Sequence, residues 1–331
     1  TLRPGFLEEL QKDYEEMQRR HGEGQTRDRY LSLEQARQNA PTIDWQEAEL
    51  ARPEFFGVRS FEPALEEIVP YIDWTPFFAT WQLRGAYPKI LDDPEIGPRA
   101  QELLQDAKAL LHTMVERKLL RARAVYGFFQ AQSEQDDILV YDEQGQPLGR
   151  WGCLRQQMVR AEGLPNLCMS DFIAPRYSGR MDSLGAFAVT TGWGLDEFVA
   201  ELDAQHDEYN SIMAKALADR LAEALAEMLH QQARREWGYG REEHLEMADL
   251  IKERYRGIRP APGYPACPDH RGKRLIWDLL EAEKHTGIRL TESLAMWPAS
   301  SVSGFYLASP EARYFAVGKL ARDQIEEFAS R

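Results

Sequence analysis

Arg259 and Tyr264 lie in a stretch whose composition favours the binding of a small molecule. Residues 257–270 read Gly-Ile-Arg-Pro-Ala-Pro-Gly-Tyr-Pro-Ala-Cys-Pro-Asp-His, with four prolines and two glycines. Proline has no N–H to donate and glycine is too permissive to hold a regular element, so the stretch is predicted to be a shaped loop. The prolines lower the entropy of the free loop, which then presents its backbone groups already arranged. Arg259 adds a planar charged fork suited to a carboxylate and Tyr264 adds an aromatic face, so we expect a clamp for a small molecule.

A second candidate is Asp73, which stands among the aromatic residues that crowd the segment Phe61–Leu91. An ionised carboxylate in apolar company needs a cationic or hydrogen-bonding partner. That partner is either a ligand or the start of the helix predicted to begin at Trp74, which Asp73 would cap. The residues alone favour the cap.

Other reactive residue types do not form a recognisable site. Cys267 and His270 have the Cys-x-x-His spacing of half a metal site, but no second pair of ligands follows at a useful spacing. Neither a Gly-x-Ser-x-Gly motif nor a familiar Gly-rich nucleotide loop is present. We therefore expect no metal site and no catalytic acid, base or nucleophile. Four histidines in helical, polar surroundings are predicted to lie at the surface: His206, His230, His244 and His285.

The periodicity of apolar residues predicts helices on both sides of the loop. Leu245–Arg256 leads in, and the amphipathic run Lys273–Lys284 leads out. Pro98–Lys118 is predicted as a further helix, and Leu195–Trp237 as a helix-rich segment. In that segment leucines and methionines are predicted to face inward, and the charged residues to take other faces; these are Asp219, Arg220, Glu223 and Glu227.

Strand patterns come in pairs. Four strands are predicted along the middle of the chain, at Ala124–Gln130, Asp137–Tyr141, Leu148–Leu154 and Ser183–Thr191. A turn over residues 143–147 joins the second to the third, and a further hairpin is predicted from Val302–Ala308 and Tyr314–Val317 around Ser309-Pro310. Strands in hairpins and helices in blocks favour an α+β fold with an antiparallel sheet over a doubly wound fold.

Composition limits the class of protein. The 331 residues are 43 % hydrophobic and 28 % charged, which is typical of a soluble globular protein. No apolar run approaches the roughly 20 residues that span a bilayer, and no signal peptide is visible, so we expect a cytoplasmic protein without a membrane partner. The net charge of −14 argues against a nucleic-acid partner. Three scattered cysteines argue for a reducing compartment. The start at Thr1 rather than Met suggests a piece of a longer protein.

The loop also resembles a known family. Residues 259–268 are similar to the signature loop of the C-terminal activation domain of cobalamin-dependent methionine synthase, which binds S-adenosylmethionine. Further blocks resemble that family in family order; they are residues 71–78, 185–190, 216–224, 283–287 and 301–304. The resemblance implies a single α+β domain over residues 31–331, with a curved antiparallel sheet and helices clustered around it. Residues 1–30 would then be a linker and connecting helix from an upstream cobalamin-binding domain.

The resemblance also implies which residues bind S-adenosylmethionine. Arg259 would pair with the ligand's carboxylate, and Asp73 matches the residue that takes its ammonium group. The aromatic side chains Tyr264 and Tyr314 would lie near the sulfonium. The remaining residues that the resemblance places at the site are Glu223, Glu253, Ala261, Gly263 and Phe315.

These remaining residues have different expected roles. Backbone groups of residues 259–263, including those of Ala261 and Gly263, would hydrogen-bond the adenine. Glu223 and Glu253 match acidic positions that line the family's site, although the pattern alone favours a solvated helix face for both. Phe315 stands where family members often carry a second tyrosine, so a hydrogen bond from that position is in doubt.

The resemblance implies a function in reactivating cobalamin. In that family the domain positions the methyl group of S-adenosylmethionine for reductive methylation of inactive cob(II)alamin, with an electron from flavodoxin or a flavoprotein reductase. Cobalamin would be held by a preceding domain, because the family's Asp-x-His-x-x-Gly motif is not found in this chain. The chain alone is therefore not expected to make methionine. Two alternatives stay open: a non-catalytic docking module for the cobalamin domain and flavoprotein, and a free-standing S-adenosylmethionine-dependent methyltransferase.

Overall fold

A computed structural model describes residues 29–331. The linker and connecting helix predicted over residues 1–30 therefore lie almost wholly outside the described residues, and that boundary stays a prediction. Within the described part, helices and an antiparallel sheet build one α+β unit. The predicted fold class is confirmed.

The regular elements alternate in blocks along the chain. The α-helices are α1 (Leu33–Gln38), α2 (Leu65–Ile68), α3 (Thr75–Thr80), α4 (Gly97–Glu116), α5 (Leu195–Ala204), α6 (Glu208–Glu236), α7 (Met247–Ile251), α8 (Gly272–Leu280), α9 (Ala282–Thr286) and α10 (Arg322–Ser330). The strands are β1 (Gly57–Phe61), β2 (Arg121–Glu134), β3 (Asp137–Tyr141), β4 (Pro147–Gly152), β5 (Asp182–Trp193), β6 (Arg289–Leu290), β7 (Met296–Trp297) and β8 (Ser301–Tyr306).

The main sheet is built on the long strand β2. Its first half pairs with β1 and its second half with β3 along one edge, whereas β5 pairs along the other edge. The path through the sheet is β4-β3-β2-β5-β8, with every pairing antiparallel. β8 is thus the last strand on the side of β5, with Phe187 opposite Gly304.

Alternating side chains of the sheet enter two separate cores. Tyr126 and Phe128 of β2 pack with the apolar faces of α4 and α6, whereas Val125 and Phe129 pack on the other side with α8. A strand points successive side chains to opposite faces, so a sheet covered by helices on both faces is apolar at nearly every position. The unbroken burial of β5 from Asp182 to Gly192 reflects this arrangement.

α6 is the longest helix and supports the site described below. Asp207 caps its first turn by accepting the N–H of Asn210 at 3.1 Å, and Arg234 and Arg235 stand in its last turn, where cations complement the helix dipole. Leucines along one face, among them Leu217 and Leu221, are fully buried. The helix therefore lies fixed against the sheet along its length.

Most of the predicted elements are confirmed. The strand Asp137–Tyr141 has the predicted bounds, and the predicted strand Ser183–Thr191 lies within β5. The helix predicted at Pro98–Lys118 is α4, shifted by one or two residues. The helix carries a clear 3.6-residue period of apolar residues, and the two strands are short, largely apolar runs, both of which pattern reasoning recognises.

The hairpin predicted from residues 302–308 and 314–317 is wrong. β8 pairs with β5 on one side, and its other side is occupied by residues 258–260, because the Phe305 N–H donates to the Pro260 carbonyl at 2.9 Å. The segment 314–317 instead follows the Pro-rich loop, where the Val317 N–H donates to the Pro265 carbonyl at 2.8 Å. The Pro-rich loop therefore occupies the outer edge of β8, with which the second strand of the hairpin would have paired.

Both helices predicted to flank the loop are shorter than expected. α7 ends at Ile251, and Glu253 takes a left-handed conformation with φ of 52°. The predicted run Lys273–Lys284 breaks at Glu281, with φ of 46°, into α8 and α9. A left-handed residue cannot continue a right-handed helix, so both helices stop there.

Asp182, at the start of β5, makes folding sensitive to pH. Its carboxylate accepts the N–H groups of Ala174 and Ser183, yet burial dominates and raises its pKa to about 6. The folded state therefore holds this proton more tightly than the unfolded chain, whose aspartate pKa is about 3.9, and stability from this group falls as pH rises from about 4 to about 6.

We predict that Asp182→Asn removes this dependence. Relative to the wild type, the variant should gain about 3 kcal/mol of unfolding free energy between pH 4 and pH 7, because the variant has no proton to lose there. Urea unfolding at several pH values measures the difference. Parallel pH profiles for the two proteins would contradict the assignment.

Candidate functional site

A cavity of about 460 Å³ opens between α6, the β8 edge of the sheet and the Pro-rich loop. Sheet residues Phe187 and Val302 contribute to its wall, and the loop supplies another wall. The lining residues are Phe187, Glu223, Glu253, Arg259, Pro260, Ala261, Tyr264, Pro265, Ala266, Val302, Tyr314, Phe315 and Ala316. The cavity has the size and the mixed apolar and polar lining of a small-molecule site.

The Pro-rich loop is fixed to the sheet by backbone hydrogen bonds. Ile258 and Leu307 exchange N–H···O=C bonds at 3.0 Å, one residue pair beyond the end of β8. Within the loop, the Gly263 N–H donates to the Cys267 carbonyl at 2.8 Å, and the Cys267 thiol donates to the Ala261 carbonyl at 2.8 Å. The loop is therefore held in one shape, as its prolines predicted.

Gly304 allows the close approach between β8 and the loop. A Cβ at this position would lie 2.7 Å from the Pro260 carbonyl oxygen and 2.8 Å from the Phe187 ring. Any side chain would push the loop away from the strand. The glycine thus places the loop directly against the sheet edge.

Arg259 lines the cavity, but one end of its guanidinium points away from the cavity into the protein interior. Its Nη1 donates to Glu227 Oε2 at 2.5 Å and to the Tyr255 hydroxyl at 2.6 Å. Its Nη2 lies 3.4 Å from Glu253 Oε1 at the cavity wall, and its backbone N–H donates to the Tyr314 hydroxyl at 3.0 Å. The side chain is 16 % exposed, so a group entering the cavity can reach it.

Behind Arg259, polar and aromatic side chains pack together in the interior. His230 stacks on Tyr306 with ring centroids 4.9 Å apart and meets Tyr255 edge-on at 5.0 Å. The Arg234 guanidinium lies 3.8 Å from the centre of the Tyr255 ring. Burial lowers the pKa of His230 well below its usual value, and the neighbouring arginines lower it further, so this imidazole is neutral.

Burial also sets the protonation of the acids around Arg259. It raises the pKa of Glu227, while Arg259 lowers it. It raises the pKa of Tyr314 to about 12, so this phenol keeps its proton at neutral pH. Burial alone would lower the pKa of Arg259, but the attraction of the Glu227 and Glu253 carboxylates and the neighbouring phenol oxygens outweighs it and raises this pKa above its ordinary value. The guanidinium is a permanent cation.

The vitamin B12 dependent methionine synthase activation domain family matches this chain over residues 64–331. The chain belongs to this family. A crystal structure of the MetH reactivation domain bound to AdoHcy is similar to it, with 48 % sequence identity and a TM-score of 0.88. The match covers 91 % of this chain and 93 % of that domain.

The fold of this activation-domain chain brings most of the predicted site residues together. Seven of them line the cavity: Glu223, Glu253, Arg259, Ala261, Tyr264, Tyr314 and Phe315. Gly263 lies in the same loop but is not a lining residue, and its φ of 102° requires a glycine. The role of each of these residues in binding a ligand stays a prediction.

Asp73 is not a lining residue of the cavity. Its carboxylate accepts the Thr75 N–H at 2.9 Å and so forms a turn just before α3. The predicted cap is wrong, because α3 begins at Thr75, one residue later than expected, and Trp74 rather than Asp73 occupies the N-cap position, without a side-chain cap. The turn Val69–Tyr71 just before it packs against both α6 and α7, which flank the cavity. Its proposed contact with a ligand ammonium also stays a prediction.

Sequence reasoning missed the interior half of the site. Glu227 was predicted to lie on a face outside the core, and His230 at the surface. Both predictions are wrong, because the two side chains are only 5 % and 1 % exposed. Arg234 and Tyr255 were not singled out. The signal was present, since Glu227, His230 and Arg234 follow one another at spacings of three and four on one helix face. Polar residues on a face are usually solvated, which is why that face was misjudged.

No cluster of three metal-ligating side chains occurs among residues 29–331. In the same part of the chain, no helix is long and apolar enough to cross a membrane. The cysteines Cys153, Cys168 and Cys267 are buried and free.

Gly263 offers a test of how tightly the loop is built. An added Cβ would lie 2.2 Å from Cε1 of His270, besides imposing a positive φ on alanine. We expect Gly263→Ala to lower the free energy of unfolding by about 1–2 kcal/mol for the backbone and by less than about 1 kcal/mol more for the clash, because the exposed His270 ring can move aside.

Removal of the His270 ring isolates the second contribution. In a His270→Ala background, Gly263→Ala should cost only the backbone contribution, and a double-mutant cycle of unfolding free energies measures the difference. Equal costs in the two backgrounds would refute the contact between Gly263 and the His270 ring.

Proposed function

We propose that this chain binds S-adenosylmethionine in the cavity beside the Pro-rich loop. The observation that carries the proposal is the position of Arg259, a permanent cation at the wall of a cavity in a chain of this family. The solved relative with 48 % identity binds AdoHcy, which is S-adenosylmethionine without its methyl group. Both ligands carry the carboxylate that a guanidinium recognises.

Each part of the ligand has a candidate partner at the cavity. The carboxylate would pair with the side of Arg259 that faces the cavity. Tyr264 and Tyr314, which are 60 % and 45 % exposed, offer aromatic faces to the sulfonium. Glu223 and Glu253 add negative charge near that cation. Asp73 would take the ammonium, at the edge of this region.

The adenine would meet backbone groups of the loop. The Gly263 N–H is already donated to Cys267, so Gly263 would contribute its carbonyl. The carbonyl of Ala261 already accepts the Cys267 thiol at 2.8 Å and the Tyr264 N–H at 3.1 Å, so Ala261 would contribute its backbone N–H. Phe315 packs 6.4 Å from Phe172, ring centre to ring centre, and offers the ligand only an apolar edge, since it has no hydroxyl.

In this proposal the chain acts by positioning the methyl group. No step requires one of its side chains to move a proton: His230 is neutral and buried behind Arg259, and Tyr314 keeps its phenol proton. Cobalamin, supplied by the cobalamin-binding domain of the full-length enzyme, would accept the methyl group on its reduced cobalt. The electron would come from flavodoxin or a flavoprotein reductase. A cytoplasmic location fits the free thiols of the cysteines.

Isothermal titration of this chain with S-adenosylmethionine and S-adenosylhomocysteine tests the proposal. We expect one-to-one binding of both, and at least about tenfold weaker binding by Arg259→Ala, because a hydrogen bond to a charged group contributes about 1.5–3 kcal/mol. Arg254→Ala is the matched control, since Arg254 is exposed and pairs with Asp249 outside the cavity. Equal affinities in the wild type and Arg259→Ala would remove Arg259 from the site, and no binding by the wild type would favour a docking module.

A second experiment separates reactivation from free-standing methyl transfer. The chain, a cobalamin-binding domain of the family, radiolabelled S-adenosylmethionine and a chemical reductant are combined, and label on the cobalamin is measured. We expect methylation that requires both proteins. Turnover of S-adenosylmethionine on a small acceptor without the cobalamin domain would instead support the free-standing methyltransferase.

A further inference from the structure

Glu227 and Tyr255 hold one end of the Arg259 guanidinium from the interior side. The three side chains form a closed triangle: Arg259 Nη1 is 2.5 Å from Glu227 Oε2 and 2.6 Å from the Tyr255 hydroxyl, which donates to Glu227 Oε2 at 3.3 Å. Neither Glu227 nor Tyr255 is among the residues that line the cavity. The contacts are therefore made by groups that a ligand in the cavity does not touch.

This triangle leaves the opposite side of the guanidinium for the cavity. A guanidinium is planar, so two contacts at Nη1 restrict both its direction and its plane. Nη2 lies on the cavity side, 3.4 Å from Glu253 Oε1. A ligand carboxylate would approach at Nε and Nη2 while Nη1 stays with Glu227.

The triangle is itself supported from behind. Arg234 lies over the face of Tyr255 at 3.8 Å, and Arg234 Nε donates to Glu243 at 3.0 Å. His230 contacts the Tyr255 ring edge-on. Tyr255 is thus clamped between two side chains of α6, and the position of its hydroxyl follows from the position of that helix.

Stability alone is a weak explanation for this ion pair. Removing two charges from water costs about as much as their attraction returns, and apolar residues of similar volume often stabilise a protein as well or better. Glu227 Oε1 has no hydrogen-bond partner among the described residues, which adds to the cost. What apolar residues could not provide is a fixed direction for Arg259.

We propose that Glu227 is a positioning residue that, with Tyr255, orients Arg259 to receive the carboxylate of the ligand. The inference rests on the proposed function and adds to it the residues that act behind Arg259. Fixing the guanidinium before the ligand arrives avoids the entropy cost of ordering a long side chain on binding, which corresponds to about a tenfold gain in affinity. That gain applies only to ligands that carry the carboxylate.

The test compares two ligands that differ only in this group. S-adenosylmethionine and decarboxylated S-adenosylmethionine are titrated into the wild type, Glu227→Ala and Tyr255→Phe, with thermal unfolding of each variant as a folding check. We expect Glu227→Ala to bind S-adenosylmethionine about tenfold more weakly and Tyr255→Phe about threefold more weakly, with the affinity for the decarboxylated ligand within about twofold of the wild type. Tyr255→Phe keeps the ring and carries the test if Glu227→Ala does not fold.

Glu236→Ala is the matched control. Glu236 lies on the same helix and makes a similar trio, with Arg59 at 3.3 Å and the Tyr126 hydroxyl at 2.6 Å, but does not line the cavity. We expect it to leave both affinities unchanged.

Three results would overturn the inference. Equal losses for both ligands would make Glu227 a structural residue only, and tighter binding of S-adenosylmethionine by Glu227→Ala would make it a competitor for Arg259. Unchanged affinities in the variants, with normal binding by the wild type, would remove Glu227 from any role in binding. If the wild type binds neither ligand, the proposed function itself fails, and this inference fails with it.

Discussion

The pairing of the Pro-rich loop with the outer edge of β8 is the constraint on which the site depends. An edge strand carries unpaired N–H and C=O groups that must find partners. Here the Pro260 carbonyl and the backbone of Ile258 supply them. Because the loop pairs through residues on either side of Arg259, the same hydrogen bonds that close the sheet place Arg259 at the cavity wall.

Charged side chains lie on both sides of Arg259, some at the cavity and some in the protein interior. Glu253 and Glu223 stand at the cavity, while Glu227 and Arg234 lie behind Arg259 in the interior. A cation enclosed in this way retains its charge, and its direction is set by partners that do not depend on a ligand. The aromatic rings of Tyr255 and Tyr306 fill the space between the polar groups and exclude bulk water from them.

The sequence predicted the exposed half of this arrangement better than the buried half. Prolines and glycines restrict the backbone locally, so the loop and the role of Arg259 as its charged residue could be inferred from residue types alone. The helices of the cores followed from their periodicity, and the strands from their largely apolar runs. Glu227 and His230 could not be placed in this way, because burial of a polar side chain depends on partners that are distant in the chain, such as Tyr255 and Tyr306. The prediction of a hairpin after β8 was wrong for the same reason, since local pattern does not reveal which segment pairs with the edge of a sheet.

The rigid loop has a kinetic consequence. Hydrogen bonds within the loop and to the sheet fix its shape, so the loop would not have to fold over the proposed ligand before their contacts form. A ligand that meets a loop already in this shape would bind in a single bimolecular step. Under the proposed function, differences in affinity among related ligands would reside mainly in their dissociation rates, so the residence time of a bound ligand would set how soon the cavity can accept the next one.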